Sequence, residues 1–238
     1  MAVPAVEKDI KVKRSNNFPY KTLTIKRRQE TNRSISTNKI VSIPKTVFDK
    51  IGALVGIILA LPLTFFITLA IKIEDGGPVF FKQIRSGING RPFMFYKFRT
   101  MNVDAEDQKE ALTNLNEMSG PAFKITNDPR VTLVGRFLRK TSMDELPQFY
   151  NVLKGDMSLV GPRPPLPSEV EQYEEWQHRR LSIKPGITCL WQINGRNNID
   201  FDNWVNLDLE YIDNRSLWLD CKIIIKTIPA ILKGDGAS

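Results

Sequence analysis

At 238 residues, 42% hydrophobic and 25% charged, the chain is long enough for one globular domain with appendages. A single histidine, His178, and two cysteines, Cys189 and Cys221, in no metal-ligand spacing argue against a histidine-based triad or a zinc centre; the cysteines read as free thiols in a reducing compartment. The formal charge of +8 is uneven: residues 1–50 carry twelve Lys/Arg against four Asp/Glu, and residues 51–238 carry twenty-two of each.

Residues 1–44 are basic, poor in aromatics and without sustained periodicity, so they read as a mostly disordered arm. Such an arm suits anionic lipid headgroups or nucleic acid. Its neighbour favours lipid: residues 51–71 form 21 positions without a charge. As a helix this run is about 32 Å long, roughly one bilayer core. Pro62 stands in its middle, where it removes a backbone donor and clashes with the carbonyl four residues back. The pattern alone favours a spanning helix with the basic N-terminus cytoplasmic; the alternatives are a hairpin that enters and leaves by one face and a buried helix of a soluble domain.

Residues 78–101 read as a β-hairpin turning at Asn89-Gly90 and closing on Lys97-Phe98-Arg99. Residues 104–117 are polar and suit an exposed helix. After Asp128-Pro129, Val131, Val134, Phe137 and Leu138 fall on one helical face, with Arg130, Arg136, Arg139 and Lys140 off it. The next helix carries Leu146, Phe149, Tyr150 and Leu153 and ends at Gly155. Its start has two solutions: Ser142 as N-cap of a capping box with Glu145, or Pro147 at the first helical position. In either, the adjacent carboxylates Asp144 and Glu145 lie at a helix N-terminus, where the macrodipole favours negative charge. Residues 168–181 read as a further helix, Pro185-Gly186 as a turn, and residues 194–198 as a polar loop. Residues 216–234 are apolar with scattered lysines, the pattern of an interfacial helix or of a core helix.

The chemistry-bearing residues are the Asp144-Glu145 pair and a set of cations in ordered-looking segments: Lys97, Arg99, Arg139 and Arg163, the last held between two prolines. Arginine's planar fork suits phosphate oxygens. No Walker-type glycine loop and no dinucleotide fingerprint is present, so phosphates would be held by arginines, a helix N-terminus and a divalent metal on carboxylate oxygen.

Residues 46–236 resemble the bacterial sugar transferase family, the monotopic polyprenyl-phosphate phosphoglycosyl transferases. The stretches that carry the resemblance are GPVFFKQIRSGINGRPFMFYKFRTM, DPRVTLVGRFLRKTSMDELPQFYNVLKGDMSLVGPRP, RRLSIKPGIT, LWQINGR and DLEYIDNRSLWLD. The resemblance implies an α+β, mainly helical fold with a β-hairpin, a proline-broken re-entrant membrane helix over residues 45–75 and a catalytic domain over 76–238 with amphipathic helices at the membrane interface. It implies catalysis by Asp144 and Glu145, Mg²⁺ on Asp144, substrate binding by Lys97, Arg99, Arg139, Arg163, Gln192 and Arg196, and a membrane break at Pro62. The implied reaction moves hexose-1-phosphate from a UDP-sugar, UDP-glucose or UDP-galactose, to undecaprenyl phosphate at the cytoplasmic face of the bacterial inner membrane. It would release UMP through an aspartyl intermediate and open exopolysaccharide, capsule or O-antigen assembly. Partners are then the UDP-sugar, undecaprenyl phosphate and the membrane, with no nucleic acid and with an oligomer left open. Rival readings are a lipid-linked glycosyltransferase that releases UDP and a non-enzymatic, membrane-tethered basic binding protein. Members with these motifs often carry a multi-spanning N-terminal region; here a basic arm stands in that place, and regulation from such a region is not expected. Cys189 stands where similar sequences often have glycine.

Overall fold

The computed structural model describes residues 43–193 and 200–233. The basic arm up to residue 42 and the loop holding Arg196 therefore lie outside the described residues.

Helix α1 (Ile43–Asp75) contains the whole apolar run. Pro62 lies inside it, and α1 runs through the proline as one element of 33 residues, about 50 Å measured along the helix. The Thr64 hydroxyl donates to the Ala60 carbonyl at 2.9 Å, a back-bond that, like proline, favours bending. Asp49, Ala53, Ala60, Ile67 and Ile71 are buried along one stripe, while Leu59, Leu61, Phe65 and Phe66 are exposed.

Both ends of α1 hold the rest of the chain. Near its start, Lys45 pairs with Asp49 (2.9 Å) and Asp220 (2.8 Å), and Asp49 accepts from the Leu159 N–H. Near its end, Glu74 accepts from the Val134 N–H and Asp75 pairs with Arg99. Ile67 and Ile71 pack against Phe98 and Leu138 in a core that also takes in Met143 and Leu146, the residues flanking the acidic pair.

Strands β1 (Phe80–Ser86) and β2 (Pro92–Phe98) form the expected antiparallel hairpin, with Phe81 opposite Lys97 and Arg85 opposite Phe93. Asn89 and Gly90 both take positive φ, 54° and 73°, as a tight hairpin turn requires. Helix α2 (Leu133–Lys140) is capped by Thr132, whose side chain accepts from the Gly135 N–H. A Cβ on Gly135 would stand 2.0 Å from the Thr100 carbonyl oxygen, so glycine lets α2 lie directly on the chain leaving β2. Helix α3 (Gln148–Lys154) ends at Gly155 as expected. Its buried Asn151 donates to the Met94 carbonyl (2.7 Å) and accepts from the Tyr96 N–H (3.2 Å), which clips α3 to β2.

Several expectations are corrected. Residues 104–117 form successive turns and a short 3-10 segment (Thr113–Leu115) instead of a helix, because a segment polar all round has no stripe to dock. Val131 precedes α2, in a bridge with Met101, and Phe137 is exposed. Residues 168–181 break into α4 (Pro167–Val170), turns and a 3-10 stretch (Gln177–Ser182), which places Glu169, Tyr173, Gln177 and Arg180 in the interior together.

Strand β3 (Ser158–Val160) pairs in parallel with β4 (Gly186–Thr188), and α5 (Leu190–Ile193) follows. Helix α6 (Phe201–Asn214) is capped by Asp200. It brings Phe201, Trp204 and Val205 into a second core with Ala122 and Tyr173. Helix α7 (Leu217–Lys233) is two-faced: Leu219, Asp220 and Ile223 are buried, while Trp218, Ile225 and Ile228 are exposed.

Candidate active site

Asp144 and Glu145 sit in a 3-10 turn, Met143–Glu145, between α2 and α3. Ser142 enters the turn with left-handed backbone (φ 52°, ψ 20°) and makes no side-chain cap, so the capping-box solution is not the one adopted. Pro147, at φ −62°, stands directly before α3. A left-handed serine is uncommon and concentrates at functional sites. Here it turns the chain so that Met143 and Leu146 point into the core while the carboxylates line a cleft of about 670 Å³.

The opposite wall is the hairpin. Period-two alternation places Phe81, Gln83 and Arg85 of β1 on the same face as Lys97 of β2, and all four line the cleft. Burial pushes the Asp144 carboxyl above its usual range, against the opposing pull of Lys97 and Arg139. The same burial brings Lys97 down to about 8, with Asp144 acting in the other direction. Burial also lowers Arg139, whose Nε donates to the Thr100 hydroxyl at 3.0 Å. These shifts share one physical cause. Charges are held out of water beside one another, and such groups concentrate at sites of chemistry.

Arg163 reaches the cleft from the Gly-Pro-Arg-Pro turn. Its guanidinium stacks over Trp204 (5.4 Å to the ring centre) and lies 3.8 Å from Glu169, which also accepts from the Leu166 N–H. Arg180 packs on the same indole at 5.0 Å and pairs with buried Asp208. Gln192 lines the cleft as well. Arg99 borders it, but its donors go to Asp75 and to the carbonyls of Pro78 and Met101. Thus Lys97, Arg139, Arg163 and Gln192 gather around the acidic pair, Arg99 ties down α1, and Arg196 lies outside the described residues.

Arg85 belongs to the site although sequence reasoning passed over it. Its Nη1 donates to the Pro164 carbonyl at 3.1 Å, and burial, with Arg163 nearby, lowers it to about 9. The signal was available: once Lys97 is placed facing the acidic pair, hairpin register puts Arg85 on the same face.

Among the described residues no group of three or more His, Cys, Asp or Glu side chains stands together for a metal. The adjacent carboxylates of Asp144 and Glu145 fit instead a hard cation that draws most ligands from water and substrate phosphates, the habit of Mg²⁺.

The family model described as bacterial sugar transferase matches residues 40–234. The chain belongs to the bacterial sugar transferase family. It is 56% identical over 196 residues to the galactosyl transferase CpsE of Streptococcus agalactiae, covering 82% of this chain and 43% of that protein. It is 45% identical over 197 residues to an undecaprenyl-phosphate galactose phosphotransferase of Salmonella typhimurium, covering 81% of this chain and 41% of that protein. The exopolysaccharide production protein ExoY of Rhizobium meliloti is 42% identical over 197 residues, covering 81% of this chain and 87% of that protein. The chain thus spans less than half the length of the first two relatives and most of the third. The acidic pair, the hairpin cations and the Gly-Pro-Arg-Pro turn all lie inside the matched region.

Proposed function

We propose that this protein transfers hexose-1-phosphate from a UDP-sugar to undecaprenyl phosphate and releases UMP. The observation that carries the reading is the buried Asp144 beside Glu145, faced by Lys97 and Arg139 in a cleft roomy enough for a sugar nucleotide and built onto an apolar helix. Relatives named as galactose and glucose-1-phosphate transferases acting on undecaprenyl phosphate support the substrate pair.

In the first step an Asp144 carboxylate oxygen bonds to the β-phosphorus, and the bond from that phosphorus to the bridging oxygen breaks. UMP leaves with the electron pair. In the second step a phosphate oxygen of undecaprenyl phosphate bonds to the same phosphorus, and the bond to Asp144 breaks. The diphosphate link forms and the carboxylate is regenerated. Splitting one displacement into two is the benefit of a nucleophile. Lys97, Arg139 and Arg163 oppose the negative charge that builds at phosphorus. Glu145 holds the acceptor phosphate and takes its proton. Mg²⁺, held by Asp144 and Glu145, would neutralise phosphate charge when bound.

The same reading makes α1 re-entrant, on the cytoplasmic face where nucleotide sugars are found. Support comes from its ends: Lys45 and Asp49 at one, Glu74 and Asp75 at the other, all tied to one globular body. A spanning helix would carry those ends to opposite sides of the bilayer. The deciding experiment incubates membrane-embedded protein with undecaprenyl phosphate and a panel of UDP-sugars. UMP release from UDP-glucose or UDP-galactose is expected; UDP release, or no turnover with any donor, would sink the reading.

A further inference from the structure

The backbone around Arg163 is pinned on both sides. The Pro162 carbonyl accepts from the Gly186 N–H at 2.9 Å, the Pro164 carbonyl from Arg85 Nη1 at 3.1 Å and the Pro165 carbonyl from the Ser86 N–H at 2.9 Å. The flanking prolines restrict the main chain further. What these contacts leave undetermined is the arginine side chain, which has many rotamers to choose among.

The contact that selects one is the indole of Trp204, with the Arg163 guanidinium over it at 5.4 Å from the ring centre. Glu169 lies at 3.8 Å, beyond hydrogen-bond length, and the same Glu169 oxygen accepts from the Leu166 N–H. It offsets charge without fixing direction. Trp204 is 5% exposed, whereas the Arg163 side chain is 36% exposed. The indole therefore offers a substrate little surface, and the guanidinium can reach one.

The indole is itself braced. Arg180 packs on it at 5.0 Å, donating from Nε to Asp208 at 2.9 Å and from Nη1 to the Tyr173 hydroxyl at 2.7 Å. Asp208 stands one turn after Trp204 on α6, so one helix carries both the indole and the carboxylate that anchors its brace. Two cations drawn to one ring repel each other, and the buried Asp208 carboxylate, which feels both, offsets that repulsion. A buried ion pair is a weak source of stability, so its place beside the indole accounts for it better as a brace than as a stabiliser.

We propose that Trp204, braced by Arg180 and Asp208, is a positioning residue that aims the Arg163 guanidinium at the phosphates of the donor. The inference rests on the transferase reading above and adds what holds its third cation in place.

The test is a double-mutant cycle in kcat and KM for whichever of UDP-glucose and UDP-galactose the wild type prefers. It is read as UMP release at a temperature below every variant's melt. Arg163→Met should lose about a hundred-fold in kcat, the scale of one lost charge-stabilising group. Trp204→Leu should lose about ten-fold in kcat with KM within about two-fold of wild type; Trp204→Phe, which keeps a ring face, should lose about three-fold. In the Arg163→Met background both Trp204 changes should cost less than about two-fold, because the group they aim is gone. Should Trp204→Leu fail to fold, the cycle is closed with Trp204→Phe. Losses that multiply would overturn the inference, since Trp204 would then act through the fold or on the substrate directly. Wild-type kcat in whichever Trp204 variant closes the cycle would overturn it too. Both results leave the transferase reading standing; wild-type enzyme that releases no UMP from any donor would fail that reading, and this inference with it.

Discussion

At the ends of α1, buried charges meet opposite charges: Lys45 lies between Asp49 and Asp220, the Tyr211 hydroxyl stands 2.7 Å from Asp220, and Arg99 is matched to Asp75. In the cleft, Lys97, Arg85, Arg139 and Asp144 are crowded together out of water, and burial is the leading cause of every one of their pKa displacements. The first arrangement fixes geometry, since breaking a matched buried pair leaves an uncompensated charge. The second holds groups away from their preferred protonation states until something arrives to rebalance them, which is how a site prepares for charged substrate. Removing a charge should therefore cost stability at α1 and activity in the cleft.

Asp144→Asn is the largest separation of the two. UMP release should fall at least about a thousand-fold, since an amide cannot serve as the nucleophile. Stability should not fall. A carboxyl whose folded pKa is raised opposes folding once it ionises, so a neutral isostere should melt no lower than wild type. Thermal melts alongside the release assay check both halves; near-normal turnover would remove Asp144 from the mechanism.

Lys97 gives the comparison a pH axis. Its folded pKa of about 8 lies below the ordinary lysine value of 10.5. Between those values the unfolded chain binds more protons, so Lys97's contribution to stability rises with pH across that window. Activity should run the other way, because the cation that opposes phosphate charge is lost as pH climbs through about 8. We expect kcat/KM to fall up to about ten-fold per pH unit above that point while the melting temperature rises relative to Lys97→Met. A variant that keeps the wild-type alkaline limb would assign the titration to another group.

The sequence made legible what depends on local chemistry. Asn89-Gly90 announced the hairpin through its need for positive φ, the charge-free run announced α1, and Gly155 marked the end of α3. Asp144 and Glu145 stood out because a carboxylate pair next to a helix start is a local pattern, and both line the cleft. The three-residue strands β3 and β4 were hidden because each is defined by a partner 28 positions away. The exposed-helix reading of residues 104–117 failed for want of an apolar face. Arg99 and Arg163 look alike in sequence, as cations in ordered segments. Only packing separates them, by handing one to Asp75 and stacking the other on Trp204 at the cleft.

Asp75→Asn tests the tethering side and carries the smallest expected effect on catalysis. It leaves the buried Arg99 guanidinium without its counter-charge. Asp75 is partly exposed, so the cost should be about 1–3 kcal/mol, below that of a fully buried pair. Turnover well below the melting temperature should stay within about three-fold of wild type. The same tether predicts topology. With both ends of α1 bound to one body, single cysteines at the exposed positions Ile43 and Ile73, in a background lacking Cys189 and Cys221, should both react only from the cytoplasmic side. Labelling from opposite sides would mean that α1 spans, and the contacts at one of its ends would then have to be absent in the membrane. A hundred-fold loss of turnover in Asp75→Asn with an unchanged melt would move Arg99 from the tether into the catalytic cleft, where sequence reasoning first placed it.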